Sequence, residues 1–103
     1  MNIGLDTEDI GRIINIIEDN VDIEDAVLFG SRAKGDFTNG SDVDIAFKGN
    51  NLQIGDILNL YLAVDELYLP YKFDLIIYDH IEDTALKEHI DRVGVSLKRF
   101  ITI

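Results

Sequence analysis

Cysteine and tryptophan are both missing from this sequence of 103 residues, and proline occurs only once. The absence of cysteine excludes disulfides, thiolate metal ligands and thiolate nucleophiles. Long apolar runs are missing as well, since no segment approaches the ~20 consecutive apolar residues that span a bilayer. Acidic residues follow Met1 to Leu5 where a secretory signal would have an apolar run. The cytoplasm is therefore the expected location, and no membrane contact is expected.

Positive charge is also scarce, with 9 lysines and arginines against 20 acids and a formal net charge of -11. Such a surface repels nucleic acid and anionic lipid, and the sequence contains no basic block that would override the repulsion. Nucleic acid is therefore not an expected partner. A protein partner of positive or mixed charge remains compatible with this composition.

The chain has no long linker rich in glycine, serine or proline, so one domain over 1–103 is expected. Its patterns predict the order α-β-β-α-β-α-β, which indicates an α/β (α+β) fold: a mixed sheet with helices packed against it. The predicted elements are helix 6–20, strand 25–29, a helical turn over 31–34, strand 42–48, helix 54–69, strand 71–78, a helix from 83 or 84 to 92, and an edge strand over 95–103.

Three residues are expected to set the ends of these helices. Thr7 is the predicted N-cap of the first helix, because acids follow it and apolar residues then recur at helical spacing. Pro70, the chain's only proline, is predicted to end helix 54–69, and Gly94 to stop the last helix.

The first candidate site feature is Gly30-Ser31, where the first predicted strand turns into a short helix. Backbone N–H groups at such a turn can bind an anion, and glycine lets a phosphate approach the chain closely. The Ser31 hydroxyl can donate a further hydrogen bond. Taken alone, the dipeptide is more simply explained as a helix N-cap.

The second feature is a pair of carboxylates, Asp42 and Asp44, which alternate with apolar residues and so leave the same face of a strand. Neighbouring carboxylates repel each other, and a divalent cation such as Mg²⁺ removes that repulsion. A solvated strand end is the alternative interpretation. Asp74 is the candidate third carboxylate, because it lies alone in an apolar strand where an unpaired buried charge would be unfavourable. Asp79 is a weaker rival, and Asp74 could instead be a surface residue.

The two histidines, His80 and His89, have no partner at metal-ligand spacing. Both are predicted to be surface residues rather than zinc ligands.

The combination of Gly30-Ser31, ten intervening residues and Asp42-x-Asp44 resembles the signature of the nucleotidyltransferase superfamily built on the DNA polymerase β catalytic core. The short chain resembles its smallest branch, the MNT-type (minimal nucleotidyltransferase) proteins. The segment 32–35 (Arg-Ala-Lys-Gly) resembles the usual Arg-x-Arg-Gly of this family, with Lys34 as a departure that keeps the charge. A chance origin of these motifs is improbable, because they occur together, in the family's order and at its spacing.

This resemblance implies a site and a reaction. Asp42, Asp44 and Asp74 would hold Mg²⁺, as two ions, and Gly30 and Ser31 would hold the triphosphate of ATP. Arg32 or Lys34 would neutralise the leaving pyrophosphate.

The implied reaction is transfer of AMP to a protein hydroxyl, with a tyrosine of a helical HEPN-domain toxin as the expected acceptor and this chain as the antitoxin. The alternative is a binding module without catalysis that neutralises the same HEPN partner by contact.

Overall fold

A four-stranded sheet organises residues 2–100, the part of the chain that this computed structural model describes. The strands are β1 (Asp25–Phe29), β2 (Val43–Lys48), β3 (Phe73–Ile77) and β4 (Val95–Ser96), and the helices are α1 (Thr7–Glu18), α2 (Gly30–Lys34), α3 (Ile54–Asp65) and α4 (Thr84–Val93). The strand order is β3-β2-β1-β4. β2 runs parallel to β3, and the other pairs are antiparallel. The predicted mixed sheet is confirmed.

One face of the sheet, here called the core face, carries alternate apolar residues of every long strand. Val43, Ile45 and Phe47 of β2 lie on it and are at most 1% exposed. Helices α1 and α3 cover this face and complete the main hydrophobic cluster with a shared set of buried residues: Ile10, Ile13, Ile14, Ile57 and Leu60.

The opposite face, here called the site face, is covered far less. Helix α4 packs on it through Ile90, which forms a small cluster with Val27, Phe29 and Ala46. Asp44 belongs to this face because it alternates with Val43 and Ile45 along β2. The two faces therefore divide the strands into an apolar side and a side that carries carboxylates.

Two predicted helix ends were wrong. Asp6, in extended conformation, is the N-cap of α1, and Thr7 is already the first helical residue. Helix α3 ends at Asp65, well before Pro70, so the proline does not end it. Tyr68 has a left-handed backbone with φ of 52°, and this turn brings Leu69 back against the core.

Gly94 does follow the last helix, as predicted, but with φ of -60° rather than in the left-handed conformation of a glycine cap. Its lack of a side chain matters for space. A Cβ there would collide with the Ile90 carbonyl oxygen and with a methyl group of Val27. Gly94 is therefore required by the close approach of α4 to β1.

The predicted last strand, 95–103, is much shorter than expected. Only Val95 and Ser96 pair with β1, and Leu97–Phe100 form a 3-10 turn. The Ser96 hydroxyl donates to Asp25 Oδ1 at 2.7 Å and accepts from the Lys98 N–H at 3.2 Å, which turns the chain away from the sheet. The remaining part of the prediction, 101–103, lies outside the described residues.

Strand β3 is shorter than the predicted 71–78 as well, because Tyr78–His80 form a 3-10 turn. Within residues 2–100, no helix has the length and apolar character needed to cross a membrane.

Candidate active site

Three carboxylates lie near one end of the parallel β2–β3 pair. The register sets Asp44 of β2 directly beside Asp74 of β3, and beside Phe29 of β1 on its other side. Asp42 immediately precedes β2 and is two residues from Asp44. The structure thus places at one end of the sheet the three acids that the sequence analysis selected.

The pKa of Asp44 records this crowding. Burial raises the pKa of this carboxyl above its ordinary value, and the nearby charges of Asp74 and Asp42 raise it further. Arg32 acts in the opposite direction and does not cancel the effect on the Asp44 pKa. The cluster is therefore short of positive charge, which is the condition that a bound cation relieves.

The donor set suits Mg²⁺, which prefers hard carboxylate oxygens and keeps water or phosphate in its remaining positions. Among residues 2–100, however, no three histidine, cysteine or acidic side chains are gathered closely enough to form a finished metal cage. The chemistry of the three carboxylates fits the ion. Their side chains would have to converge around it.

The expected burial of Asp74 was wrong, because its side chain is exposed. β3 is an edge strand, and Asp74 lies outside the apolar cluster that α4 forms on the site face. The unfavourable burial that singled out Asp74 therefore does not exist. What keeps Asp74 in the site is its pairing with Asp44 across the sheet.

Gly30 is required at its position for two reasons. Its φ of +74° lies in the left-handed region that favours glycine. A Cβ at this residue would also collide with Oδ2 of Asp44. The turn between β1 and α2 therefore lies directly against the carboxylate, and half-buried Ser31 follows it in the first turn of α2.

Arg32 does not contact the open side of the site, contrary to its expected role with phosphate. Its side chain is 1% exposed and donates to three backbone carbonyls: Ile3 at 3.0 Å, Gly4 at 3.3 Å and Ser41 at 2.9 Å.

The guanidinium of Arg32 also lies 5.3 Å from the ring centroids of both Phe37 and Tyr71. Arg32 therefore ties the N-terminal segment to the loop that ends at Asp42. This is a positioning role, and it leaves Lys34 as the more accessible cation. Lys34 is half-exposed and forms a surface ion pair with Asp36 at 3.5 Å.

His89 is the site residue that the sequence analysis missed. Its Nε2 accepts a hydrogen bond from the Gly30 N–H at 3.2 Å. Its ring meets that of Phe29 edge-on, with centroids 6.3 Å apart and an interplanar angle of 81°. The spacing of Leu86, His89, Ile90 and Val93 at i, i+3, i+4 and i+7 places His89 on the inward side of α4 and could have identified it. His80, by contrast, is exposed as predicted.

A family model described as "Polymerase beta, Nucleotidyltransferase" matches residues 11–99. Among curated proteins, no sequence matches the chain. A crystal structure of a toxin–antitoxin pair with AMP-PNP is similar with a TM-score of 0.70 and 24% identity, over 85% of this chain and 71% of that one.

Two further solved structures are similar in the same range. The toxin–antitoxin MntA–HepT has a TM-score of 0.65 and 22% identity, over 89% of this chain and 71% of that chain. The tri-AMPylated Shewanella oneidensis HEPN toxin in complex with its MNT antitoxin has a TM-score of 0.64 and 22% identity, over 87% and 69%. The fold expected from the motif is confirmed.

Proposed function

Since the chain belongs to the polymerase β nucleotidyltransferase family, we propose that it transfers AMP from ATP to a protein hydroxyl in a reaction that requires Mg²⁺. The observation that carries this proposal is the contact of the Gly30 turn with Asp44, which itself lies beside Asp74. A phosphate held at the turn would therefore be next to the carboxylates. Neither feature alone would provide that juxtaposition.

Asp42, Asp44 and Asp74 are the residues that would hold Mg²⁺. When bound, the ion supplies charge neutralisation at the phosphates and at the reacting oxygens. The raised pKa of Asp44 is consistent with this role: burial raises it most, and the charges of Asp74 and Asp42, which a bound cation would offset, raise it further. The turn formed by Gly30 and Ser31 would receive the triphosphate.

The reaction requires an acceptor oxygen to form a bond with the α-phosphorus of ATP. The bond from that phosphorus to the bridging oxygen breaks, pyrophosphate leaves, and the acceptor hydroxyl loses its proton. Asp74 is suited to receive this proton because it is exposed to an incoming acceptor and adjacent to Asp44. Lys34 is the cation that could accompany the leaving pyrophosphate.

We propose that the acceptor is a tyrosine of a helical HEPN-type protein and that the chain is its antitoxin. A net charge of -11 disfavours nucleic acid as the acceptor. The similar structures named above include an AMPylated HEPN toxin with its MNT antitoxin. Use of ATP also fits the cytoplasm as the place of action.

A second function, neutralisation of the same partner by contact alone, is favoured by one surface. Ile54, Leu58 and Leu62 form a stripe along α3, with 69%, 57% and 64% of each residue exposed. α3 carries acids and no lysine or arginine, so the stripe suits a helical partner with a basic rim. The late strand is less suited to such contact than expected, since Val95 and Leu97 are buried.

Coexpression with a candidate HEPN-type partner, followed by intact mass spectrometry, tests the proposal. We expect the partner to gain whole AMP units with the wild-type chain and none with Asp42→Asn or Asp44→Asn. Asp79→Asn is the matched control, because it removes an exposed acid after the far end of β3. A partner that stays unmodified and is still neutralised would support the binding module.

A further inference from the structure

A hydrogen bond between His89 and Gly30 joins α4 to the candidate nucleotide site. His89 is not part of the family motif. His89 lies on α4, and Gly30 ends β1 and begins α2. The donor is the backbone N–H of Gly30 and the acceptor is Nε2, 3.2 Å away. An imidazole nitrogen accepts a hydrogen bond only when it carries no proton. The contact therefore specifies an unprotonated Nε2 directed at the turn.

Packing fixes the imidazole in this place. Its ring meets Phe29 edge-on, and Ile90, the next residue of α4, is 1% exposed in the cluster beneath the sheet. The helix is thus anchored where His89 reaches the turn. An anchored acceptor holds its donor more firmly than a mobile surface side chain would.

Gly30 is consequently restrained from three directions. Its left-handed backbone sets the turn, Oδ2 of Asp44 occupies the space of a side chain, and His89 holds its amide. A small movement of this residue would press the chain against Asp44 or break the hydrogen bond. The amide that the motif suggests for phosphate binding is already engaged.

We propose that His89 is a positioning residue for the nucleotide: it holds the Gly30 amide both before and after ATP binds, so that Ser31 and not the Gly30 N–H contacts the phosphate. The part of this inference that concerns ATP binding rests on the proposed function. The competing arrangement treats the imidazole as a temporary occupant that phosphate displaces from the Gly30 amide. The two arrangements predict opposite effects of removing the imidazole.

The first measurement is amide hydrogen exchange of the full ¹⁵N-labelled chain by NMR, without nucleotide. We expect the Gly30 amide to exchange roughly tenfold faster in His89→Ala, the effect of losing one hydrogen bond. His89→Gln supplies an oxygen acceptor at similar reach and should restore the slow exchange. His80→Ala, which removes the other histidine at an exposed position, should leave Gly30 unchanged.

The second measurement is calorimetric titration of the same variants with ATP and Mg²⁺. We expect His89→Ala to bind roughly three- to tenfold more weakly, because the turn is no longer fixed before binding. His89→Gln and His80→Ala should bind like the wild type. In the wild type, the Gly30 amide should remain protected from exchange when ATP is present.

Tighter or unchanged ATP binding by His89→Ala would overturn the inference, and so would a Gly30 exchange rate that does not respond to this substitution. Loss of Gly30 protection on ATP addition would favour displacement instead, and would also overturn it. Absence of ATP binding by the wild type overturns the proposed function together with the part of the inference that concerns ATP binding. Unchanged Gly30 exchange in His89→Ala overturns the inference alone.

Discussion

The two faces of the sheet differ in how completely they are covered, and this difference locates the site. The core face is buried under α1 and α3, whereas α4 and the turn after β3 cover only part of the site face. Val43 and Ile45 on the core face are at most 1% exposed, while Asp44 between them is only half-buried. A carboxylate can occupy β2 because its face is incompletely covered there.

The largest effect on the difference between the two faces is expected from removing the carboxylate charge of Asp44 on the site face. Asp44→Asn should reduce AMP transfer by about a thousandfold or more, because metal stabilisation is worth several kcal/mol and each 1.36 kcal/mol is a factor of ten. The measurement is ATP-dependent labelling of the coexpressed partner. Asp42→Asn should behave similarly, and transfer at the wild-type rate by either variant would contradict the metal role of these acids.

The same substitution should not weaken the fold without metal. Since the folded pKa of Asp44 is raised, its stabilising effect is present below the unfolded pKa and is lost as pH rises through the folded pKa. At neutral pH the raised pKa of Asp44 therefore lowers the stability of the fold. We expect the melting temperature of Asp44→Asn in EDTA at pH 7 to equal or exceed that of the wild type. The advantage should disappear toward acidic pH.

Truncating one large apolar side chain packed on each face of the sheet tests how tightly the two faces are packed. Ile45→Ala on the core face should lower the free energy of unfolding by roughly 3–5 kcal/mol, because two helices and the sheet leave the cavity little room to collapse. Ile90→Ala on α4 should lower it by about 2 kcal/mol, since the smaller cluster can relax. Urea unfolding measures both, and a larger loss for Ile90→Ala would contradict this account of the two faces.

Arg32 ties the N-terminal segment to the loop before Asp42, and its replacement should be the next most damaging. Arg32→Lys keeps the charge but cannot reach all three carbonyls of Ile3, Gly4 and Ser41. Each buried acceptor left without a donor costs about 1–3 kcal/mol, so we expect a loss near 3 kcal/mol in urea unfolding.

Lys34→Ala is the matched control for Arg32→Lys. It removes an exposed ion pair that contributes at most about 1 kcal/mol. Equal stability of the two variants would show that the buried hydrogen bonds of Arg32 contribute little.

The sequence predicted the sheet well because alternation and spacing are local properties. β1 was predicted to the residue, and the burial of Val43, Ile45 and Phe47 followed from alternation with the acids. Helix ends were predicted less well, since α3 ends before Pro70 and a turn at Tyr68 then returns Leu69 to the core.

The candidate site divides in the same way between local and long-range features. Asp42, Asp44 and Gly30 carry a local signature, and the structure places them together. The hydrogen bonds from the Arg32 guanidinium to Ile3 and from the Gly30 N–H to His89 join residues far apart in the chain. No local pattern around Arg32 reveals that its guanidinium meets the carbonyl of Ile3.

A smaller perturbation of the site face is a side chain at the turn. Gly30→Val should destabilise the fold by roughly 1–2 kcal/mol for the left-handed backbone alone, with a further loss from the collision with Asp44. Transfer of AMP should fall with it, because the carboxylate must move. Gly35→Val is the control: Gly35 is also left-handed, but a Cβ there meets nothing within 4 Å. Gly35→Val should lose stability without the same loss of transfer.

The smallest expected effect is that of Ser31→Ala, which removes one hydroxyl and leaves the backbone of the turn in place. The side chain is half-buried and carries no core packing, so the free energy of unfolding should change by less than about 0.5 kcal/mol. ATP affinity should fall by roughly three- to tenfold, the effect of one hydrogen bond to a charged ligand. Titration with ATP measures the affinity, and Gly30→Val should show the greater loss of transfer. A greater loss of transfer in Ser31→Ala than in Gly30→Val would contradict this prediction. It would show that the Ser31 hydroxyl, and not the backbone shape of the turn, determines how the phosphate is bound.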